Sequence, residues 1–375
     1  MKVCYIATTT HLSSALSEGI GSTTHTYHLA RELREQGNDL VVVSERWDSD
    51  KGVEELNGLR VYRLFRGGVV SAKKIKQSPV AWLGLVLKPL SNLWLAWRVS
   101  RIAEKEGCDV LLERAQSGIG GLVSWSTGKP LVMEVIDNLF SRASLARAKR
   151  VFAYTDRFFD EDTRKKVELV SAGVDLAVFR PRKTRICYDA CYVGSFKEWD
   201  GLEDLMEAID LARKQKPSLV VALVGDGPRR EAIQALIKEK GLEKNVAWLG
   251  RKGLEETAET ISASCLGLAP YNVSRSRKGE FKKHGYYFSP LKVLEYMACG
   301  KAVVATDYAL VAGLLPKGNA LAGEGDAAAL AEGLLGLLAS DDRYAVEQRN
   351  LLAVRRFSWK RLAEKINDAL EAARE

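Results

Sequence analysis

The sequence predicts an α/β protein made of two doubly wound parallel sheets. Short apolar, β-branched runs alternate with segments of helical periodicity, the pattern of successive β-α-β units. That alternation occurs twice, the second time from "YDACYVGS" (188–195) onward, on either side of a charged, Pro-containing stretch, "RPRKTR" (180–185). The chain has 375 residues, 46% of them hydrophobic and 28% charged, with 31 Gly and 9 Pro, enough for two separate cores. The expected organisation is two Rossmann-like domains, 1–180 and 181–357, facing each other across a cleft. The amphipathic helix 358–375 follows, with a face that must pack somewhere, including back on the N-terminal domain.

In the first half, "KVCYIAT" (2–8) reads as a buried strand and "STTHTYHLARELREQG" (22–37) as a helix with a Ser/Thr start and a Gly stop. Strands follow at "DLVVVSE" (39–45) and "LRVYRLF" (59–65). After a basic, aromatic helical region (78–106), strands are expected at 109–114, 129–137, 150–155 and 166–175, with a helix near 117–127. In the second half, helices at 201–215, 228–240, 254–263 and 290–298 separate strands at 188–195, 219–227, 246–250, 265–271 and 301–306.

The formal net charge of +8 and a pI near 9.0 admit an anionic partner: nucleic acid, a phosphorylated substrate or a membrane surface. Six Cys are scattered, several within strand-like runs, as expected of reduced, buried thiols in a cytoplasmic protein. Cys187 and Cys191 lack a second pair to complete a zinc site, so no metal is expected. Met1 leads directly into a strand-like run, so no signal peptide is expected. Lys88 and Pro89 interrupt the most hydrophobic segment, so it is too short to span a bilayer. Its Trp and basic residues (Lys73, Lys74, Lys76, Trp82, Trp94, Trp97, Arg98, Arg101) suit contact with a lipid surface, and equally a packed helix pair.

Candidate ligand residues cluster at strand-to-helix turns. Gly19 and Gly21 in "SEGIGSTTH" would let backbone N–H groups approach a phosphate at a helix start, or would simply form a tight turn. "VGDGP" (224–228) admits the same two readings. Neither completes a dinucleotide fingerprint or a P-loop, so neither dehydrogenase nor P-loop chemistry is indicated. In "SPLKVLEYMACG", Pro290 can open a helix with Ser289 as its cap, leaving N–H groups of residues 291 to 293 for a phosphate or sugar oxygen. Glu295, one turn further in, could accept hydrogen bonds from a vicinal diol such as ribose; the bland alternative is a solvent-facing helix carboxylate. His25 and His28, on the first helix, lie within reach of the cleft, and structural histidines are the commoner reading of such a pair. The Lys- and Arg-rich stretch 274–287 reads either as a solvated loop or as a lid over an anion.

Six stretches, "GIGSTTHTYHLARELREQGNDLVVVS", "VSAGVDLAVFRP", "YVGSFKEWDGLEDLMEAI", "VGDGPRREAIQALIKEKGLEKNVAWLGRK", "LGLAPY" and "SPLKVLEYMACGKAVVAT", together resemble the retaining, nucleotide-sugar-dependent glycosyltransferases of the GT-B fold. The resemblance runs over almost the whole chain. It implies transfer of a sugar from a nucleotide diphosphate sugar to a polysaccharide, glycolipid or other acceptor, with no cofactor, no metal and no nucleic acid as partner. Glu295 is similar to the acid that holds the donor ribose. Ser289, Pro290, Leu291 and Lys292 match the segment that meets the donor sugar and phosphates, Gly21 the glycine near the pyrophosphate, and Gly250, Arg251 and Lys252 the base-recognition loop. Tyr287 stands where that family has a first acid, and Ser195 and Asp200 where it commonly has Arg and Lys. Lys197 and Asp137 are the substitutes expected for the phosphate clamp and for a His at a strand end. A nucleotide-sugar epimerase and an inactive sugar-binding relative are the rival readings; a lipid-linked acceptor would place the enzyme peripherally on the inner membrane face.

Overall fold

A computed structural model describes residues 1–12, 21–47, 51–65, 83–277 and 279–375. The chain divides into two compact units, Met1–Ser171 with Trp359–Glu375, and Ala172–Ser358. The expected division at 180/181 therefore lies nine residues late. Val174 forms a parallel bridge with Ser358, and its N–H donates to the Phe357 carbonyl, so the segment before "RPRKTR" is already tied to the second unit.

In the first unit, β1 (Lys2–Ala7) leads to α1 (Gly21–Glu35), β2 (Asp39–Glu45), β3 (Val53–Leu56) and β4 (Leu59–Leu64). Then come α2 (Leu83–Lys105), β5 (Val110–Arg114), α3 (Gly120–Thr127), β6 (Leu131–Val135), α4 (Arg142–Arg147), β7 (Ala148–Ala153), α5 (Glu161–Arg164) and β8 (Val167–Leu169). The sheet order is β3-β4-β2-β1-β5-β6-β7-β8. Among the described strands only β3 runs antiparallel, in a hairpin with β4 whose two-residue turn, Asn57-Gly58, has φ of 49° and 78°. Two consecutive positive φ values are what Asn-Gly supplies at low steric cost. Strand order reverses at β1 and β5, whose carboxyl ends thus form a switch point.

Cys4, Ile6, Val41, Val43, Leu111 and Met133 lie in one apolar core with Leu95, Val99 and Ala103 of α2. The opposite face of the sheet receives the C-terminal helix, α14 (Trp359–Arg374), which packs against α1, β5, β6 and β7. Leu362, Ile366 and Leu370 form its buried stripe at helical spacing. Trp359 stacks on His28 and meets His25 edge-on at 5.0 Å. His25 is buried between Glu134 (Nε2 to Oε1, 2.9 Å) and the Tyr154 hydroxyl.

The second unit carries β9 (Tyr188–Gly194), α6 (Leu202–Gln215), β10 (Val221–Gly225), α7 (Arg230–Glu239), β11 (Val246–Gly250), α8 (Leu254–Ser262) and β12 (Ser264–Ala269). It continues with α9 (Gly279–His284), α10 (Leu291–Ala298), β13 (Ala302–Thr306), α11 (Ala309–Ala312), β14 (Ala320–Ala322), α12 (Ala327–Ala339) and α13 (Arg343–Val354). Its six strands, all parallel, are ordered β11-β10-β9-β12-β13-β14, so the switch point lies between β9 and β12. Both sheets are thus of the doubly wound, mainly parallel class expected from the alternating pattern.

Three sequence expectations need correction. The strand expected over 166–175 is only three residues long, Val167–Leu169, and the pairing ends with the Val170 N–H donating to the Ala153 carbonyl. Cys187 is exposed, not buried, since the strand begins one residue later at Tyr188; Cys265 is half-buried, and the other four thiols are buried. Residues 320–354 add a strand and two helices beyond the expected set.

Candidate functional site

The site is set by how α10 sits on its sheet. Gly267 lies under the helix: a Cβ there would collide with the Tyr296 ring, so only a glycine lets α10 approach β12 this closely. Tyr296 reaches through to both central strands, its hydroxyl donating to the Leu268 carbonyl at 3.1 Å and accepting from the Val193 N–H at 2.8 Å. Gly300, with φ 71°, stops the helix in the left-handed region, its N–H donating to the Met297 carbonyl. The N-terminal turn of α10 is thereby fixed over the carboxyl ends of β9 and β12.

From that turn Lys292 points inward and is buried. Its Nζ donates to the Tyr192 hydroxyl at 3.0 Å and pairs with Asp200 Oδ1 at 3.2 Å. The ammonium also lies over the Tyr192 and Tyr271 rings, 4.2 and 4.8 Å from their centroids. Burial pulls its pKa below the ordinary lysine value, against Asp200 and Glu295, which hold it up. Asp200 Oδ2 accepts from the Lys197 N–H at 2.9 Å, so one carboxylate ties the β9–α6 loop to the buried cation. Gly194 closes the cluster, because a Cβ there would clash with the Tyr192 hydroxyl and approach Lys292 Nζ to 3.0 Å.

Glu295, also on α10, is partly exposed. Burial pushes its carboxyl up to about 7, with Lys292 pulling the other way. It shares the first turns of α10 with the buried Lys292.

The loop around this cluster is strained. Phe196 is fully buried with φ 46°, wedged against Tyr192 and Trp248, and its carbonyl accepts from the Arg229 N–H. Backbone strain of this kind is retained where the surroundings over-determine it, often at functional sites. Gly225 and Gly227 permit the neighbouring turn, since a Cβ on either would run into the Gly194 or Ser195 carbonyl.

The other expected site residues fall in several places. Ser289 does not cap α10. Pro290 occupies the cap position, and Ser289 Oγ accepts from the Ala172 N–H at 3.0 Å. The N–H groups of Leu291 and Val293 donate to the Ser289 and Pro290 carbonyls, so two of the three amides expected to be open are engaged. Gly250, with φ 68°, turns the chain after β11, two strands from β9. Beyond it Arg251 is exposed, and Lys252 lies 3.8 Å from Glu256. Ser195 is exposed, Lys197 half-buried. Tyr287, in the place of an acid, is buried against Phe281 and Phe288. Arg275 pairs with Asp204, anchoring one end of the basic 274–287 stretch.

In the first unit, Asp137 lies just past β6, accepting from the Leu139 N–H at 2.9 Å and from Gln116 Nε2. Gly21 opens α1; Gly19 lies outside the described residues, as do Lys73, Lys74, Lys76 and Trp82. The hydroxyls of Thr8 and Thr10, past β1, are buried without a hydrogen-bond partner among the described residues. Sequence reading missed the cage of Tyr192 and Tyr271; the available signal was a tyrosine near the carboxyl end of each of the two central strands, inside β9 and just past β12. Among the described residues, no group of three or more His, Cys, Asp or Glu side chains is placed to hold a metal ion. No described helix is long and apolar enough to cross a membrane.

A family model described as "Glycosyltransferase Family 4" matches residues 20–178, and one described as "Glycosyl transferases group 1" matches 188–340. The chain belongs to the GT-B glycosyltransferases. Among solved structures, this glycosyltransferase is similar to sucrose-phosphate synthase from Thermosynechococcus elongatus, at 18% identity and a TM-score of 0.74, covering 99% of this chain and 98% of that one. It is also similar to Anabaena Alr3699/HepE in complex with UDP and glucose, at 18% identity and 0.70, covering 99% and 100%. A third likeness is to the lipopolysaccharide outer core galactosyltransferase WaaB, at 15% and 0.67, covering 99% of each chain. At these identities the likeness is one of fold. No curated protein matches the glycosyltransferase in sequence.

Proposed function

We propose that this glycosyltransferase transfers a sugar, with retention of configuration, from a nucleotide diphosphate sugar bound on the second unit. The observation that carries this reading is the placement of Lys292 and Glu295 on one helix over the switch point between β9 and β12, where open parallel sheets bind their ligands. In this reading Glu295, once ionised, accepts the ribose hydroxyls. Lys292, with the α10 N-terminus and Lys197 nearby, offsets the charge that grows on the departing diphosphate as the sugar–phosphate bond breaks. The turn Gly250–Lys252 lies two strand spacings, about 10 Å, from β9, which suits a base held at one end of an extended nucleotide. Anabaena HepE, of the same fold, was solved with UDP and glucose bound, in keeping with a nucleotide-sugar donor here.

Asp137 is assigned to the acceptor side, as a carboxylate oriented by Leu139 and Gln116 at a strand's carboxyl end. The acceptor is a sugar or glycolipid reached from the cytoplasmic membrane face, which the Trp- and Arg-bearing α2 suits. Purified protein incubated with UDP-, GDP- and ADP-sugars, with and without membrane lipid extract, tests this. Acceptor-dependent nucleotide release is expected. Acceptor-free isomerisation of the donor, or binding without turnover, would overturn it.

A further inference from the structure

On the first unit, α2 presents two chemistries on one exposed face. Leu90, Leu93, Trp94, Trp97, Arg98, Arg101 and Lys105 fall within an arc of about 140° at 100° per residue, and all are exposed. Leu95, Val99, Ile102 and Ala103 occupy the opposite, buried side. The apolar residues come first along the helix and the cations last.

The cationic end borders a cavity of about 640 Å³ between α2 and the strands β3 and β4. Arg46, Arg63, Arg98, Arg101 and Lys105 line it, and Glu104 is the one acid of the lining among the described residues. Arg63 is buried and paired with Glu54. Arg46 Nε is buried without a hydrogen-bond partner among the described residues. Aromatic faces fix two of these cations: Arg46 lies 4.7 Å from the Phe65 ring centroid and Arg98 lies 5.3 Å from that of Trp94. Several positive charges gathered around an open cavity, one with an unmet donor, call for an anion with several oxygens.

We propose that this cavity binds the phosphate-bearing headgroup of an anionic membrane lipid. A free phosphorylated metabolite would need the cavity but not the exposed Leu and Trp beside it. A lipid surface uses both, since Trp settles at the headgroup level while Leu enters the acyl boundary. The inference rests on the membrane-side acceptor reading above, so its test records lipid binding and donor binding separately.

The experiment is co-sedimentation of the full chain with phosphatidylglycerol or phosphatidylcholine vesicles, alongside titration with the donor nucleotide. Wild type is expected to favour the anionic vesicles. The R98E/R101E double variant, altered only at exposed positions, should bind them about tenfold more weakly or worse, with donor affinity unchanged. Trp94→Ser with Trp97→Ser should also weaken vesicle binding, and millimolar inorganic phosphate should not displace wild type. Equal binding to both vesicle types, or undiminished binding by R98E/R101E, would overturn the proposal. Displacement by inorganic phosphate would reassign the cavity to a free phosphate compound.

Discussion

Lys292 Nζ lies 3.2 Å from Asp200 Oδ1, with both side chains less than a tenth exposed. Asp200 stands where the resemblance to the GT-B family leads one to expect a lysine, and here it holds a lysine supplied by another element. The buried cation comes from the start of α10, and Asp200, in the β9–α6 loop, anchors it.

Breaking this pair from one side leaves an uncompensated buried charge. Asp200→Asn and Lys292→Met are each expected to cost about 3 kcal/mol of stability, whereas the double variant should cost less than either. Guanidinium denaturation of the three proteins measures this. Additive losses in the double variant would show that the two groups do not interact.

Glu295 titrates where enzymes are assayed. Its carboxyl is pushed up to about 7, so the ionised form, to which the proposed function gives the ribose hydroxyls, grows as pH rises through that value. Affinity for a nucleotide diphosphate sugar should rise several-fold between about pH 6 and pH 8, and Glu295→Gln should flatten the dependence. The intact sugar nucleotide is the right probe, because a free terminal phosphate titrates in the same range.

Glu113 supplies a stability test in the first unit. It is fully buried at the end of β5 and accepts from the Ile119 and Gly120 N–H groups at the start of α3, yet burial pushes its carboxyl up to about 7. Because the folded value lies above the unfolded 4.5, its contribution is fully present below pH 4.5 and is lost as pH rises to about 7. Wild-type stability relative to Glu113→Gln should therefore fall across that window by roughly 3 kcal/mol. A constant difference across it would mean that Glu113 does not titrate there.

Trp359 fastens α14 to the first unit through His25 and His28. Trp359→Ala should destabilise that unit by about 3–5 kcal/mol, while binding of the donor to the second unit is retained. Thermal melts with and without donor nucleotide separate the two effects.

Much of this was legible in the sequence. Alternating apolar runs located the central strands of both sheets, because a strand buried on both faces reads as a continuous hydrophobic run. The edge hairpin of β3 was missed although Asn57-Gly58 announces it, since "VEEL" is too polar for a buried strand. On α10, spacing placed Lys292 and Glu295 on one helical turn. It did not show that Ser289 bonds to the distant Ala172, because a cap and a tertiary hydrogen bond use the same hydroxyl. Nor did it show that Asp200 pairs with Lys292, 92 residues away. Such a pairing follows from the β9–β12 switch point, which no local pattern records.

Donor binding by Glu295→Ala and wild type, compared by calorimetric titration with UDP-, GDP- and ADP-sugars, probes the central claim most directly. Wild type should bind one of these donors, and the variant should bind the same donor about tenfold more weakly or worse, as expected for loss of hydrogen bonds to a charged acceptor. Equal affinity in a folded Glu295→Ala protein would contradict the assignment of α10 as the helix that holds the donor.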